Sequence, residues 1–359
     1  MKRIIVLLLG VIMMLSLSAC TGKNANKENS DKSSEKLKFS DDVFQRSLEE
    51  SRIYSDGEDN FIFSPISANS AINMFKYTKD GEACKKDIDE YLHGKEYLSY
   101  SFPYEKYTST NRIWVNENFD FKSNNKINAF VYKMNMDDSA KATKKKNDFV
   151  DKVTHGFIKE TPSVFDSETI YDIMNIVYFK DAWFGGPLEQ DENTTVFNNV
   201  DKSKTKTKML YTDAKYYYEN DTAYMVEIPY EHGNDFVLIY PKKNIDDVSL
   251  DKIKDNKVDR SVDIKFPEFE AYSEFDLSSY LSAICTNTCI DMPMLQIAKI
   301  KVDRKGTEAA AVTEILKETA YIEEEEPLEL TFDKPFYYMI YDNTNEDVAF
   351  IGKLSKLEK

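Results

Sequence analysis

The feature that most restricts the fold of this chain is a succession of strand-like stretches in its second half. Short runs rich in β-branched and aromatic residues alternate there with short polar turns. The predicted strands are residues 173–179, 216–218, 224–228, 236–240, 262–269, 297–302, 328–332, 336–341 and 348–351. Because helical patterns come first and many strands with short connections follow, we predict an α+β fold with large antiparallel or mixed sheets.

Helix-start patterns lie in the first half of the chain. Ser64 followed by Pro65 predicts a helix start, because a serine side chain accepts from the free N–H groups of the first turn and proline at the first helical position loses no hydrogen bond. Ser40 is predicted to cap an earlier amphipathic helix. Asn147 is predicted to cap a later one, with an apolar stripe within 149–157.

Composition argues against several classes of protein. The 359 residues include 63 acidic and 47 basic side chains, a formal net charge of −16, so no basic face for nucleic acid is expected. No GxGxxG or Walker A pattern occurs among the 11 glycines, so no nucleotide cofactor is expected. No GxSxG elbow occurs either, and the three histidines, His93, His155 and His232, each precede a glycine, as turn and cap residues do. We expect neither an enzyme nor a cofactor.

The N-terminus has the layout of a secretory signal. Two basic residues precede an apolar run at 4–15, which is too short to cross a bilayer comfortably. The following tetrad, Leu-Ser-Ala-Cys at 17–20, resembles a bacterial lipobox, in which the cysteine is diacylated and becomes the first mature residue. We therefore predict a lipoprotein signal peptide at 1–19 and lipidation of Cys20. The alternative is an ordinary signal peptide with a coincidental cysteine.

The remainder divides into a tether and one folded unit. Residues 20–37 are rich in Lys, Asn and Ser and are predicted to be a flexible, lipidated tether. Residues 38–359 contain no second linker and are predicted to form a single domain. The protein is then expected outside the cytoplasmic membrane, exported and lipid-anchored to the outer side of a bacterial membrane, at the cell surface.

Three cysteines fall within the predicted domain, an odd number that cannot pair completely. Cys285 and Cys289 do not have a common zinc spacing and have no histidine nearby, so we predict no metal site. Cys84 lies on an apolar helical stripe and is expected to be a small buried hydrophobic residue.

The segment 303–327, DRKGTEAAAVTEILKETAYIEEEEP, separates two predicted strands and is too long for an ordinary connection in a compact domain. Uncharged residues occupy alternate positions from 307 to 315, whereas several of the intervening positions carry glutamate. Such alternation is what a half-buried strand requires. The segment can therefore project into solvent or join a sheet; an Ala-rich helix is the alternative that its composition also permits.

Five stretches of the chain match one family in order. They are NFIFSPISANSAINM (60–74), TNRIWVNENF (110–119), NIVYFKDAW (175–183), GTEAAAVT (306–313) and DKPFYYMIYDNTNEDVAFIGKL (333–354). On these stretches the chain resembles a serpin across residues 38–354. The resemblance implies the serpin fold, with a large central sheet, additional sheets, N-terminal helices and an exposed reactive-centre loop at about 304–327.

It also implies a suicide inhibitor of serine-type proteases. The protease cleaves the loop and forms an acyl-enzyme, and the freed loop then inserts as a new strand of the main sheet, carrying the trapped enzyme with it. In non-inhibitory serpins the hinge of this loop is typically spoiled by charge, proline or bulk. The hinge of this chain is free of these features: Gly306, Thr307, Glu308, Ala309, Ala310, Ala311 and Thr313.

By the family's count of 14 residues from Gly306, the reactive bond is Ala320–Tyr321. A count back from Pro335 points instead to about Glu324, and we favour the hinge count because a shorter inserted strand would not reach. Ala320 suits elastase-like or subtilisin-like proteases and Tyr321 suits chymotrypsin-like ones. These serine-type proteases are the expected partners of a monomer that contacts the membrane only through its lipid.

Other positions match the family with differences. Ser64, Ser67 and Asn175 correspond to the polar cluster that controls opening of the sheet, and Gln296 stands where the family usually has a histidine. Trp183 matches the aromatic residue at the end of the sheet where the loop enters.

Two further departures leave an alternative open. Arg304 replaces a glutamate that the family usually has, and Lys317 falls at an inward position of the predicted strand. The alternative function is a non-inhibitory serpin-fold binding module or protease substrate on the cell surface; a solute-binding lipoprotein is a more distant one.

Overall fold

The computed structural model describes residues 39–55, 59–97, 100–101, 107–285, 294–307 and 326–357. The α-helices in these ranges are α1 (Val43–Tyr54), α2 (Pro65–Phe75), α3 (Lys85–Tyr91), α4 (Ser139–Val153) and α5 (Ser278–Ile284). None of the helices in these ranges combines the length and apolar composition needed to cross a bilayer.

The strands are, in chain order, β1 (Phe61–Phe63), β2 (Tyr100–Ser101), β3 (Tyr107–Asn116), β4 (Phe130–Met134), β5 (Tyr171–Phe179), β6 (Asp181–Ala182), β7 (Glu189–Asn198), β8 (Lys204–Asp213), β9 (Tyr216–Glu219), β10 (Ala223–Pro229), β11 (Asp235–Pro241), β12 (Lys257–Val258), β13 (Val262–Pro267), β14 (Phe269–Asp276), β15 (Leu295–Asp303), β16 (Gly306–Thr307), β17 (Leu328–Thr331), β18 (Phe336–Asp342) and β19 (Asp347–Leu354). The predicted α+β class is confirmed.

These strands form four hydrogen-bonded sheets, two of which adjoin and are described together as the third sheet. A seven-stranded sheet has the order β1-β19-β18-β11-β10-β9-β12, and a four-stranded sheet has the order β17-β13-β8-β7. Successive residues of β18 alternate between two large apolar clusters, with Tyr337 and Met339 in one and Tyr338 and Ile340 in the other. The seven-stranded sheet is therefore buried on both faces.

The remaining strands make a third sheet in two halves. In one half β3 pairs antiparallel with β5 and parallel with β4, while in the other β14 pairs antiparallel with β15. The two-residue strand β16 lies between β15 and β6, and both pairings are antiparallel. The parallel β3–β4 pair makes this sheet mixed. The two halves are continuous in the chain, since β6 follows β5 after one residue, and β16 bridges them at that end.

Two predicted helix caps are wrong. The side chain that accepts the first N–H groups of α1 is Asp42, not Ser40, which instead accepts from the Asp42 N–H. Helix α4 is capped by Asp138 and not by Asn147, which lies inside the helix and accepts from the N–H and hydroxyl of Thr161. In both cases an aspartate occupies the cap position that the path of the backbone selects: Asp42 is two residues after Ser40, and Asp138 is nine residues before Asn147.

Two further expectations bear on local structure. Ser64 caps α2 as predicted, accepting from the Ser67 N–H, with Pro65 at the first helical position. The predicted strand 262–269 is two strands, β13 and β14, because the chain leaves one sheet for another at Glu268, directly after Pro267. A proline cannot donate to a continuing ladder, which favours a break at that point.

Candidate functional site

The hinge of the predicted reactive loop begins as a short strand inside the third sheet. In β16, Gly306 is opposite Asp303 on one side and Ala182 on the other, and Thr307 is opposite Val302 and Asp181. The hinge is thus already paired on both edges where the gap between the two halves of the sheet begins. Of the predicted hinge residues, these two lie within the described ranges.

Gly306 is required at its position by the backbone. Its φ is +145°, which side-chain-bearing residues rarely adopt, and a Cβ added there would lie 2.1 Å from the carbonyl oxygen of Asp181. The absence of a side chain lets β16 approach β6 closely enough to pair with it.

Thr307 is anchored by an aromatic stack. Its side chain is buried, and its hydroxyl shares a hydrogen bond with the hydroxyl of Tyr230. The Tyr230 ring stacks on the Trp183 indole with centroids 4.9 Å apart and an interplanar angle of 7°. Burial raises the pKa of Tyr230 well above its usual value, so this hydroxyl stays protonated.

Trp183 joins the two sides of the gap at this end. Its indole Nε1 donates to the Asp303 carbonyl at 2.9 Å, and the residue is buried. The following residue, Phe184, donates its N–H to the Pro229 carbonyl at 2.9 Å. Trp183 therefore lies at the end of the sheet where the family resemblance places it.

Beyond β16 the two halves of the sheet separate. Within the described residues, no ladder of hydrogen bonds joins β5 to β15, although both are nine residues long and each is paired on its other edge. The side chains of Ile297 and Ile176 belong to one small apolar cluster with α4, so the halves approach each other through side chains. Between β5 and β15 two backbone edges are available to a further strand.

The predicted polar cluster is assembled around the start of α2. Gln296 accepts from the Ser64 N–H at 2.9 Å and donates to the Ser64 carbonyl at 2.8 Å. The Ser64 hydroxyl donates to the Ala349 carbonyl at 2.7 Å. A single amide side chain of β15 thus hydrogen-bonds to both backbone polar groups of the cap residue.

The other half of the cluster belongs to β5. The Ser67 hydroxyl donates to the Asn175 carbonyl at 3.2 Å, and Asn175 Nδ2 donates to Ser109 Oγ at 2.9 Å and to Asn111 Oδ1 at 2.7 Å. Asn175 Oδ1 is buried and has no hydrogen-bond partner among the described residues. The cluster therefore links α2 to β15 on one side and to β5 on the other, and it retains one unused acceptor.

Arg304 is held beside the hinge in two ways. Its backbone N–H donates to the Glu268 carboxylate at 3.0 Å, and its Nε donates to the Leu188 carbonyl at 3.3 Å. The side chain that stands in place of the family's usual glutamate is thus bound to the backbone at Leu188.

Several predicted residues lie outside the described ranges. They are Cys20, Cys289, Glu308, Ala309, Ala310, Ala311, Thr313, Lys317, Ala320 and Tyr321. Cys84 and Cys285 are both described, and they are buried free thiols in contact with each other. The predicted burial of Cys84 is confirmed.

Sequence reasoning missed Tyr230, Asp181, Ser109 and Asn111. The partner of Thr307 is 77 residues away along the chain, and neither residue belongs to a local pattern that would have indicated the contact. Asp181 lies just after the predicted strand 173–179 and within the family-like stretch 175–183, but neither signal indicated its contact with His232.

A family model described as Serpin (serine protease inhibitor) matches residues 34–357. An uncharacterized serpin-like protein of Thermococcus kodakarensis is 24% identical over 343 residues, which cover 82% of this chain and 80% of the relative.

Two solved structures give the same fold. The native state of tengpin, a thermophilic serpin, has a TM-score of 0.73 at 20% identity and covers 96% of this chain and 99% of its own. Thyroxine-binding globulin in complex with thyroxine has a TM-score of 0.66 at 17% identity and covers 85% and 94%.

Proposed function

The chain belongs to the serpin family, whose members are typically protease inhibitors and not enzymes, and on that premise we propose that it is a suicide inhibitor of serine-type proteases. The single observation that carries the proposal is the hinge strand β16, which is paired on both edges at the entrance to a gap between two unpaired strand edges. Such a gap accepts one further strand, and cleavage of the loop frees the segment that follows β16 to enter it.

The register of β16 predicts where each inserted residue would lie. If the pairing continues unbroken past Thr307, each further step along the loop moves one residue back along β5 and one back along β15. The inward positions then lie between these pairs: Ala309 between Phe179 and Ile300, Ala311 between Val177 and Ala298, Thr313 between Asn175 and Gln296, and Ile315 between Ile173 and Met294.

All eight residues of those pairs are buried, which supports the proposal that positions 309, 311, 313 and 315 of the inserted strand would face the core. Small side chains at 309 and 311 fit beside large apolar neighbours without displacing them. Thr313 would arrive beside the unused acceptor of Asn175 and carries a hydroxyl able to donate to it. The register that turns Ala309 and Ala311 inward would therefore also place Thr313 at the polar cluster.

Lys317 would be opposite Tyr171, the first residue of β5. A lysine at the last paired position can extend its ammonium group past the end of the sheet into water, so its charge need not be buried. The three residues from 318 to Ala320 would continue beyond β5.

We propose Ala320–Tyr321 as the reactive bond, and elastase-like, subtilisin-like or chymotrypsin-like proteases as targets. The test is to incubate the purified protein with elastase, subtilisin, chymotrypsin and trypsin and to separate the products on denaturing gels. We expect a covalent band near the summed mass with at least one of the first three, and a released C-terminal peptide that begins at Tyr321 by mass spectrometry. Cleavage with release of active protease in every case would overturn the proposal.

Loop insertion also predicts a change in stability. A chain nicked in the loop should melt at a higher temperature than the intact chain, because the gap between β5 and β15 is then filled by a hydrogen-bonded strand. Equal melting temperatures would count against insertion.

A non-inhibitory binding or substrate role is the second candidate. It is favoured by the departures at Arg304, Lys317 and Gln296, and a solved structure of the same fold is a complex with thyroxine. This candidate predicts that the proteases clip the loop without forming a stable complex.

We also propose export and attachment through a diacylated Cys20, on the basis of the lipobox-like tetrad before it. Metabolic labelling with a radioactive fatty acid in a bacterial host should mark the protein, and Cys20→Ser should remove the label. Labelling of both proteins would refute attachment at Cys20.

A further inference from the structure

Three metal-ligating side chains converge behind the hinge, at the end of β6. They belong to Asp181, Glu231 and His232, and one potential ligand atom from each lies within 4.8 Å of the other two. Asp181 is 2% exposed, whereas the other two side chains reach the surface. This cluster is separate from the polar cluster around Ser64 and has no part in the loop-insertion mechanism as described above.

Two of the three groups are fixed in place. His232 Nδ1 is 2.7 Å from Asp181 Oδ1, and the His232 backbone N–H donates to Asp181 Oδ2 at 3.2 Å. The Ala182 N–H donates to Asp181 Oδ1 at 2.8 Å, and the Glu231 N–H donates to the Ala182 carbonyl at 2.9 Å. The carboxylate and the imidazole are therefore positioned by backbone contacts that do not depend on a bound ion.

The Asp181 carboxylate is hydrogen-bonded but has no permanently charged partner among the described residues. Among the described residues, its one ion pair is with His232, which carries a charge only when protonated. The neighbouring Glu231 adds a second negative charge at the mouth of the cluster. A buried carboxylate in such surroundings is stabilised by a cation.

We propose that Asp181, Glu231 and His232 bind a divalent cation of the zinc class. One imidazole nitrogen and two carboxylate oxygens are suitable donors for Zn²⁺, which binds them at about 2.0–2.2 Å, and ligand atoms that share such an ion lie about 3.3 Å apart. The His232 and Asp181 atoms need to separate slightly, and the exposed Glu231 side chain needs to move inward. Water completes the coordination.

The position of this site connects it to the hinge. Asp181 is the residue that pairs through its backbone with Thr307, and Glu231 follows Tyr230, whose hydroxyl contacts the Thr307 hydroxyl. An ion that links β6 to the turn at 230–233 holds both partners of Thr307 together. This consequence for the loop rests on the proposed function; binding of the ion does not.

The chain has three histidines, so the ligand can be mapped by substitution. Zn²⁺ is titrated into the purified, chelator-treated protein by calorimetry, and we expect one site per chain. His232→Ala should lower its affinity by more than about 100-fold, since even residues around a metal ligand commonly contribute 10–100-fold. Glu231→Gln should weaken binding less, while His93→Ala and His155→Ala serve as matched controls and should bind as the parent does. Equal affinity in the parent and His232→Ala, or no binding by the parent, would overturn the proposal.

A second readout does not depend on inhibition. Amide hydrogen exchange around 181–183 and 305–307 should slow when Zn²⁺ is added to the parent protein and should not change in His232→Ala. Exchange in β7, away from the cluster, is the internal reference. If Zn²⁺ binds and protects these residues but no protease is trapped, the metal site stands and the proposed function fails; if proteases are trapped and exchange is unchanged, the metal site fails alone.

Discussion

The hydroxyl groups of Thr307 and Tyr230 share a hydrogen bond inside the protein, where the two residues are 2% and 1% exposed. This contact fixes the first residues of the predicted reactive loop before any cleavage occurs. It also places Thr307 with its side chain inward, which determines that every second residue after it faces the same way. The first two hinge residues therefore already form a paired β-strand before cleavage.

Replacement of Thr307 by arginine is expected to abolish trapping. The guanidinium would replace a small buried hydroxyl beside Tyr230 and would lose its hydration there, so burying it would cost several kcal/mol. The measurement is the fraction of protease recovered in the covalent complex. Thr307→Ser keeps the hydroxyl and is the matched control, expected to trap as the parent does; efficient trapping by Thr307→Arg would contradict the assigned orientation.

Removal of the Tyr230 hydroxyl should destabilise the hinge without disturbing the aromatic stack. Tyr230→Phe keeps the ring on Trp183 and leaves the Thr307 hydroxyl unpaired, a loss of about 1–3 kcal/mol in the free energy of unfolding. Thermal unfolding of this variant, of Thr307→Val and of the double variant gives the coupling energy. Strictly additive effects would show that the two hydroxyls do not interact.

Gly306→Ala should be more harmful than an alanine at another glycine of positive φ. The new Cβ would clash with the Asp181 carbonyl, whereas at Gly94, where φ is +71°, a Cβ meets no atom within 4 Å. Gly94→Ala carries the backbone penalty of about 1–2 kcal/mol alone. A larger fall in melting temperature for Gly306→Ala, together with faster amide exchange at 305–307, is the expected result; equal effects would mean that β16 does not approach β6 so closely.

Gln296 is expected to stabilise the start of α2 through both ends of its amide. Gln296→Met removes both hydrogen bonds to Ser64; the Ser64 carbonyl keeps the Ala68 N–H as a donor, whereas the buried Ser64 N–H loses its partner, at a cost of about 1–3 kcal/mol. Gln296→Glu keeps an acceptor for the N–H but turns a carboxylate oxygen toward the Ser64 carbonyl. Unfolding in urea should show both variants to be less stable than the parent. An unchanged midpoint for either one would mean that water replaces the amide at no cost.

Much of the fold was predictable because it is encoded over short distances. The period-two pattern of the strands from 173 to 351 and the Ser64–Pro65 cap both depend on residues that are neighbours in the chain. The two wrong caps show the limit of that reasoning, since Asp42 and Asp138 lie two residues after and nine residues before the predicted positions. Several acceptor side chains near one helix start are nearly equivalent in sequence, and only the path of the backbone selects among them.

The sequence by itself determined that small and uncharged residues alternate from 307 onward and that the chain resembles a serpin over most of its length. Only the tertiary structure decided that Gly306 and Thr307 are paired between β15 and β6, that the Gln296 amide binds both backbone groups of Ser64, and that Asp181 meets His232. The reason is separation: Gln296 is 232 residues from Ser64, and His232 is 51 from Asp181. Periodicity constrains which way a side chain faces, but which residue it faces depends on the order in which distant strands enter the sheets.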